Sequence, residues 1–173
     1  MHRAPGRRKA VYPPTLLTDA QELAAFDSGV PSLDDWLKRR AHANQASGAS
    51  RSYVVADGAR VIGYYCLASG AIAMVDAPAP IRRNMPDPIP VTVLGRLAID
   101  RSAQGKGLGT AILQDAIVRA AQAAQIVGAR GLLVHAISLP AKSFYENYGF
   151  VSSPANPMTL VLSLIGMGNN LPG

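Results

Sequence analysis

The chain has 173 residues, 49% of them hydrophobic and 16% charged, which suits one compact domain with a real core and excludes wholesale disorder. No apolar run reaches the roughly 18–20 residues of a membrane-spanning helix, no apolar stretch follows the basic start Met1–Lys9 to make a secretory signal, and Cys66 as the single cysteine excludes an internal disulfide and a cysteine-built zinc site. The cytoplasm is the default compartment, and a net charge of +6 with a pI near 9.8 points toward a polyanionic partner such as nucleic acid.

In chain order, residues 1–14 read as a basic leader carrying Arg3, Arg7, Arg8 and Lys9. Thr18 with Gln21 has the spacing of a capping box and predicts a short helix through Phe26. Ser32 with Asp35 is a second box, predicting a helix to about Ala43 with Leu33, Trp36, Leu37 and Ala41 on one face and Asp34, Lys38 and Arg39 opposite. Residues 46–50 are small and polar, hence a loop. Residues 52–56 and 61–68 are β-rich runs around Asp57-Gly58, a hairpin signal. Five prolines between Met74 and Pro90 leave an irregular connection.

Residues 91–99 form the next expected strand. Leu113, Ala116, Ile117, Ala120, Ala121 and Ala124 recur at helical spacing, giving a helix from about Gly107 to Gln125. Residues 132–136 read as a short buried strand. Residues 140–147 read as a short helix with proline in its first turn and Gly149 beyond its end, and residues 158–164 as a last strand. Helices, hairpin, strand, helix, strand, helix, strand is the order of a sheet with helices on its faces.

Chemistry concentrates between Leu97 and Thr110, where a strand ends near Asp100, a glycine-rich turn follows and a long helix opens. Glycines let backbone approach a ligand, and the unpaired N–H groups of a helix's first turn favour an anion such as pyrophosphate. A dinucleotide fingerprint starting at Gly105 fails at Thr110, and a P-loop fails because Gly107 follows Lys106. Gln-x-x-Gly-x-Gly remains: Gln104, Gly107 and Gly109. On these residues alone, a strand–helix turn holding no ligand is the plain alternative. The pattern resembles the pyrophosphate loop of the GNAT acetyltransferases. A second segment, Ala141 to Phe150, resembles that family's ending A-x-x-F-Y-E-x-x-G-F and follows the next strand.

The resemblance covers roughly residues 52–164 and implies an α/β (α+β) single-domain GNAT fold over residues 15–165: a central mixed, largely antiparallel sheet with splayed middle strands, flanked by helices, with residues 166–173 as a tail. It implies acetyl-CoA as co-substrate and no metal. The pantetheine arm would bond the backbone of Leu97, Ala98 and Ile99, where an N–H can also hold the developing oxyanion. Gln104, Gly105, Lys106, Gly107, Leu108, Gly109 and Thr110 would hold the pyrophosphate, with Phe144 and Ser138 also at the cofactor. Ser138 stands where many members have Asn. Tyr145 would protonate the departing sulfur, with Tyr148 the rival donor. No general base stands out; Asp100 and Glu146 are the carboxylates near the expected site, and solvated-surface roles suit both.

That absence favours an acceptor that loses its proton easily. An ε-amine titrates near ~10.4 and an α-amine near ~7.7–8.0, and an esterified α-amine is lower still. Wider stretches, Phe26 to Leu37, Gly63 to Leu67 and Leu94 to Ala98, resemble the GNAT toxins of bacterial type II toxin–antitoxin modules. That likeness implies acetylation of the amino group of aminoacyl-tRNA, a block of translation, a ribbon-helix-helix antitoxin as partner and a homodimer, with no membrane involved. Arg39, Arg40, Arg82, Arg83 and Arg96 are then candidates for tRNA contact. A GNAT enzyme acting on a small amine or a protein N-terminus, and a binding module that transfers nothing, are the alternatives.

Overall fold

The structure, a computed structural model, describes residues 13–167. The leader's Arg3, Arg7, Arg8 and Lys9 and most of the tail lie outside the described residues. Seven strands form one sheet: β1 (Thr15–Leu16), β2 (Arg51–Asp57), β3 (Arg60–Ile72), β4 (Ile89–Ile99), β5 (Gly131–His135), β6 (Val151–Ser152) and β7 (Thr159–Ser163). They lie in the order β1-β2-β3-β4-β5-β7-β6. Every pairing is antiparallel except β4 with β5, which is parallel. The helices are α1 (Pro31–Arg39), α2 (Ala41–Ser47), α3 (Leu108–Val127) and α4 (Leu139–Glu146). None of the described helices is long and apolar enough to cross a membrane. This is the central mixed, largely antiparallel sheet flanked by helices that the resemblance implies.

Strand alternation divides the core between the two faces of the sheet. On one, Tyr65, Leu94, Leu132 and Val134 pack against Leu108, Ile112, Leu113 and Ala116 of α3 and Tyr145 of α4. On the other, Val54, Tyr64 and Ala98 meet Leu33 and Leu37 of α1, while Val91, Leu133 and Val161 meet Ile81 of the 74–88 connection. Leu37 is fully buried, which contributes about 1.5–3 kcal/mol over leaving it in water.

Most expected elements form within a few residues of the expected ends; four readings need correction. No helix follows Thr18. The capping-box bonds do form, Thr18 N–H donating to Gln21 Oε1 at 2.8 Å and Ala20 N–H to Thr18 Oγ1 at 3.2 Å. The next main chain is claimed by the hairpin instead: Glu22 donates to the Ala59 carbonyl at 2.6 Å and accepts from Val61 at 3.1 Å. The second helix begins at Pro31, so Ser32 is not its cap. Asp34, expected on the solvated face, is buried because it reaches back to accept from the Ser28 hydroxyl at 2.6 Å and the Ser28 N–H at 3.0 Å. The chain bends at Arg40 and a separate helix, α2, takes residues expected partly as loop, ending at left-handed Gly48. The two-residue strands β1 and β6 are too short for any period to show.

The end of β4 is fastened by Asp100, 2% exposed. Its carboxylate accepts from the Asp27 N–H at 2.8 Å and from the Ser102 N–H at 3.0 Å and hydroxyl at 2.6 Å, and it pairs with Arg60 at 2.9 Å. Arg101 N–H in turn donates to the Asp27 carbonyl at 2.8 Å. Burial pushes the Asp100 carboxyl upward, but the bonds from Ser102 and Asp27 and the charge of Arg60 outweigh it and hold the group below its ordinary value. A depressed folded value gives stability that is complete above the unfolded value of about 3.9 and is lost as pH falls through the folded value. Asp100→Asn should therefore cost about 3 kcal/mol in urea unfolding at neutral pH and shrink the acid-dependent part of the stability curve; an unchanged midpoint would show that this latch holds nothing.

Candidate active site

β4 and β5 run side by side only from Val91↔Gly131 to Leu94↔Val134. Beyond that pair β4 continues to Ile99, while β5 stops at His135 and Ala136 N–H donates to the Met158 carbonyl at 2.8 Å, following β7. A β-bulge starts the divergence. Against β3, Cys66 faces Arg96 and Leu67 faces Leu94, leaving Gly95 over, and a bulge bends and twists its strand. Main chain from 95 to 99 thus has no strand on its β5 side. A cavity of about 160 Å³ lies there, lined by residues 94–97, Val134, His135, Phe144 and Tyr145.

At the far end of β4, Gln104, Gly105, Lys106 and Gly107 lead into α3. Gly105 and Gly107 adopt φ of 76° and 81°, the left-handed region that glycine enters without strain. The first main-chain bond of the helix is Ala111 N–H to Gly107 carbonyl at 3.2 Å, so the N–H groups of Leu108, Gly109 and Thr110 have no partner inside α3. Gly109 has an ordinary helical backbone, and a Cβ on it would meet only Ile99 Cγ1 at 3.9 Å and Phe144 Cζ at 4.0 Å. Packing within the fold does not require glycine there, and its absent side chain leaves the helix start open to close approach. The gap beside β4 and this helix start together fit coenzyme A, the first as a slot for an extended arm and the second as a seat for a diphosphate.

Gln104 does another job. Its amide donates to the Ser28 and Ile99 carbonyls, both at 2.9 Å, tying the loop to the rest of the fold. Lys106 folds back on the Ser102 carbonyl at 3.2 Å. Ala98 turns its side chain to the α1 face of the sheet, so only its main chain can serve a cofactor, whereas Leu97 and Ile99 pack on the α3 side. Ser138 caps α4 by accepting from Ala141 N–H at 3.2 Å.

Tyr145 is buried on α4, ring centroids 5.2 Å from Phe144 and 5.4 Å from Phe150. Among the described residues its hydroxyl has no hydrogen-bond partner. Burial pushes its pKa up to about 12, so it is a neutral acid at physiological pH. Tyr148, the rival donor, instead shares its hydroxyl with Thr110 Oγ1 at 2.5 Å, pinning α4 to the start of α3. Cys66 is buried beside β4, and burial, outweighing the influence of Arg96, pushes its thiol up, which makes it a poor nucleophile.

The candidate arginines do not form one surface. Arg96 lines the cavity, its guanidinium 4.5 Å from the ring centroid of Trp36, which stacks on Tyr64. Arg39 and Arg40 are exposed at the α1–α2 bend. Arg82 and Arg83 are exposed at the opposite end of the sheet, near the start of β5, where Arg130 donates to the Arg83 carbonyl at 3.2 Å. Asp100 is spent as a latch and Glu146 is exposed at the last residue of α4, so neither serves the cavity as a base. His135 does line it and was missed; its one sequence signal is that it is the polar residue in a short apolar run. Among the described residues no three His, Cys, Asp or Glu side chains gather to hold a metal ion.

Residues 48–152 match the family model described as "Acetyltransferase (GNAT) domain". The chain is 50% identical over 149 residues to a tRNA-acetylating toxin of Mycobacterium tuberculosis, covering 86% of this chain and 90% of that protein. Among solved structures it resembles AtaT complexed with acetyl-methionyl-tRNAfMet, with TM-score 0.81 and 29% identity over 89% of this chain and 95% of that one. It also resembles a tyrosine-to-phenylalanine mutant of AtaT bound to acetyl-CoA and to the C-terminus of the antitoxin AtaR, with TM-score 0.74 and 30% identity over 87% of this chain and 92% of that one.

Gly109→Ala separates fold from ligand. Alanine favours a helix by about 1 kcal/mol over glycine, so the thermal midpoint should stay or rise, while calorimetric affinity for coenzyme A should fall about tenfold or more, a loss of at least about 1.4 kcal/mol. Unchanged affinity would move the diphosphate away from the start of α3.

Proposed function

The chain belongs to the GNAT acetyltransferases, and from that premise we propose that it moves the acetyl group of acetyl-CoA onto the amine of an aminoacyl-tRNA and so blocks translation. The observation that carries this reading is Tyr145, a neutral hydroxyl left without a protein partner among the described residues, on the same cavity as the unpaired main chain of β4. The amine attacks the thioester carbonyl directly, main-chain N–H groups of 95–99 stabilise the oxyanion, and Tyr145 gives its proton to the departing sulfur. Leu97, Ala98 and Ile99 would hold the arm through their main chain. Gly105 to Thr110 would hold the diphosphate, with Lys106 adding charge, Gln104 shaping the loop and Phe144 walling the thioester. Ser138 acts through the start of α4 rather than by touching the cofactor.

The acceptor class follows from what the cavity lacks. No carboxylate lines it. A lysine-type amine, protonated at neutral pH, would need a strong base there; an α-amine beside an ester needs far less help. The half-identity with the mycobacterial tRNA-acetylating toxin supports the same acceptor. The basic surplus suits a polyanion, with Arg39, Arg40, Arg82, Arg83 and Arg96 as the groups to meet phosphate. By likeness to AtaT, solved with its antitoxin AtaR, we infer a cognate antitoxin, of the ribbon-helix-helix kind. We also infer a homodimer, work in the cytoplasm where charged tRNA is found, and a catalytic unit spanning residues 15–165.

Labelled acetyl-CoA offered to bulk charged tRNA, with uncharged tRNA as control, should put label on the charged pool alone. Label on free polyamines instead would shift the acceptor to small amines. In the same assay Tyr145→Phe should keep coenzyme A affinity and lose about 100-fold in turnover; a variant as fast as wild type would strike Tyr145 from the chemistry.

A further inference from the structure

His135 stands where two hollows of the molecule meet. It lines the cavity of about 160 Å³ shared by Tyr145 and the main chain of 94–97. It also lines a groove of about 360 Å³ walled by Gly70 to Ala73, Asp76, Asn156 and Thr159, with Val93 and Leu133 beneath. Val93 and Leu133 belong to the sheet face away from α3 and α4, whereas Tyr145 packs on the α3 face. The groove therefore lies on the face away from α3, while the cavity is lined from both faces, by Tyr145 of α4 and Leu33 of α1. They meet just past Leu94↔Val134, the last pair before β4 and β5 part.

We propose, resting on the acetyl-transfer reading above, that His135 is the general base: it takes the proton of an acceptor amine seated in the 360 Å³ groove as that amine attacks the thioester beside Tyr145. The step balances. The amine nitrogen bonds to the acetyl carbon, the carbon–sulfur bond breaks, the amine's proton passes to His135 Nε2 and the Tyr145 proton passes to sulfur. His135 is exposed and returns its proton to water, and Tyr145 is recharged from solvent.

Three observations support the role. The ring is held: Nδ1 lies 2.9 Å from the Oγ1 of buried Thr159. With Nδ1 protonated and donating to that oxygen, Nε2 carries the lone pair and has no protein partner among the described residues. The position is shared, since His135 lines both hollows while Asp76, on the turn before β4, lines the groove alone. The other charged or titratable groups facing the pair of hollows do not compete. The guanidinium of Arg96 offers donors and no acceptor, and Tyr145 is kept neutral by burial. The acceptor that suits such a groove is a primary α-amine next to an ester, whose proton a neutral imidazole can accept.

His135→Ala and Asp76→Asn, each in the full chain, test the assignment with labelled acetyl-CoA and bulk charged tRNA. His135→Ala should keep its coenzyme A affinity, lose about 100-fold in turnover, and recover with added imidazole, more basic substituted imidazoles restoring more. Asp76→Asn should lose much less. Unchanged turnover in His135→Ala, a loss that imidazole does not relieve, or a comparable loss in Asp76→Asn would each overturn the proposal. If wild-type protein acetylates polyamines and not charged tRNA, the tRNA reading fails by itself, and the same imidazole series on a polyamine still decides the role of His135.

Discussion

A strand that runs on without its neighbour is the constraint on which the rest of this structure depends. Main-chain N–H and C=O groups withdrawn from water need partners, and in a parallel pair the adjacent strand normally supplies them. Here β5 leaves after Val134 and β4 does not. The side of β4 that faces the gap can be completed only by water or by a ligand shaped like a strand. The extended amide-bearing arm of coenzyme A is such a ligand, and the gap that would take it is an unfinished piece of secondary structure.

Keeping β4 extended without that neighbour calls for outside support, and Asp100 provides it. One buried carboxylate gathers the Asp27 and Ser102 amides, the Ser102 hydroxyl and the Arg60 guanidinium at the point where strand becomes glycine loop. Gln104 adds a second tie to Ser28. The residues between β1 and α1 thus fasten the glycine loop through Asp27 and Ser28. They place the start of α3 so that its unpaired N–H groups face the end of the slot, and Thr110 and Tyr148 then lock α4 to the same point. Donors fixed in advance in this way suit a bound anion without rearrangement of the loop.

Burial divides the chemistry among the side chains. Tyr145, deep against Phe144 and Phe150, stays protonated and suits a donor. Cys66, just behind β4, is withdrawn from covalent catalysis by the same effect. Arg96 spends its planar face on Trp36, a contact that orders the guanidinium as well as charging the cavity. The remaining candidate arginines sit at separate places, which suits a long polyanion touching the surface at several points better than a small anion held at one.

Local patterns in the chain determined a good deal. The Asp57-Gly58 hairpin, the apolar repeat of α3 and the proline-led start of α4 all rest on neighbours a few residues apart, so short-range periodicity and turn chemistry reveal them. The glycine spacing at 104–109 pointed to an anion seat because conformational freedom and helix starts are local properties, and the run from Ala141 to Phe150 pointed to the same family by resemblance. Tertiary structure decided what depends on distant partners. Thr18 and Gln21 form their capping bonds and still make no helix, because Ala59 and Val61 claim Glu22. Asp100, legible as a carboxylate near the site, becomes a latch only when Asp27 and Arg60 arrive from elsewhere in the chain. His135 reads as the polar member of a buried run until the parting of β4 and β5 opens a cavity on one side of it and a groove on the other. Contacts between residues far apart in sequence leave no period to read, and the working geometry of this protein is made of such contacts.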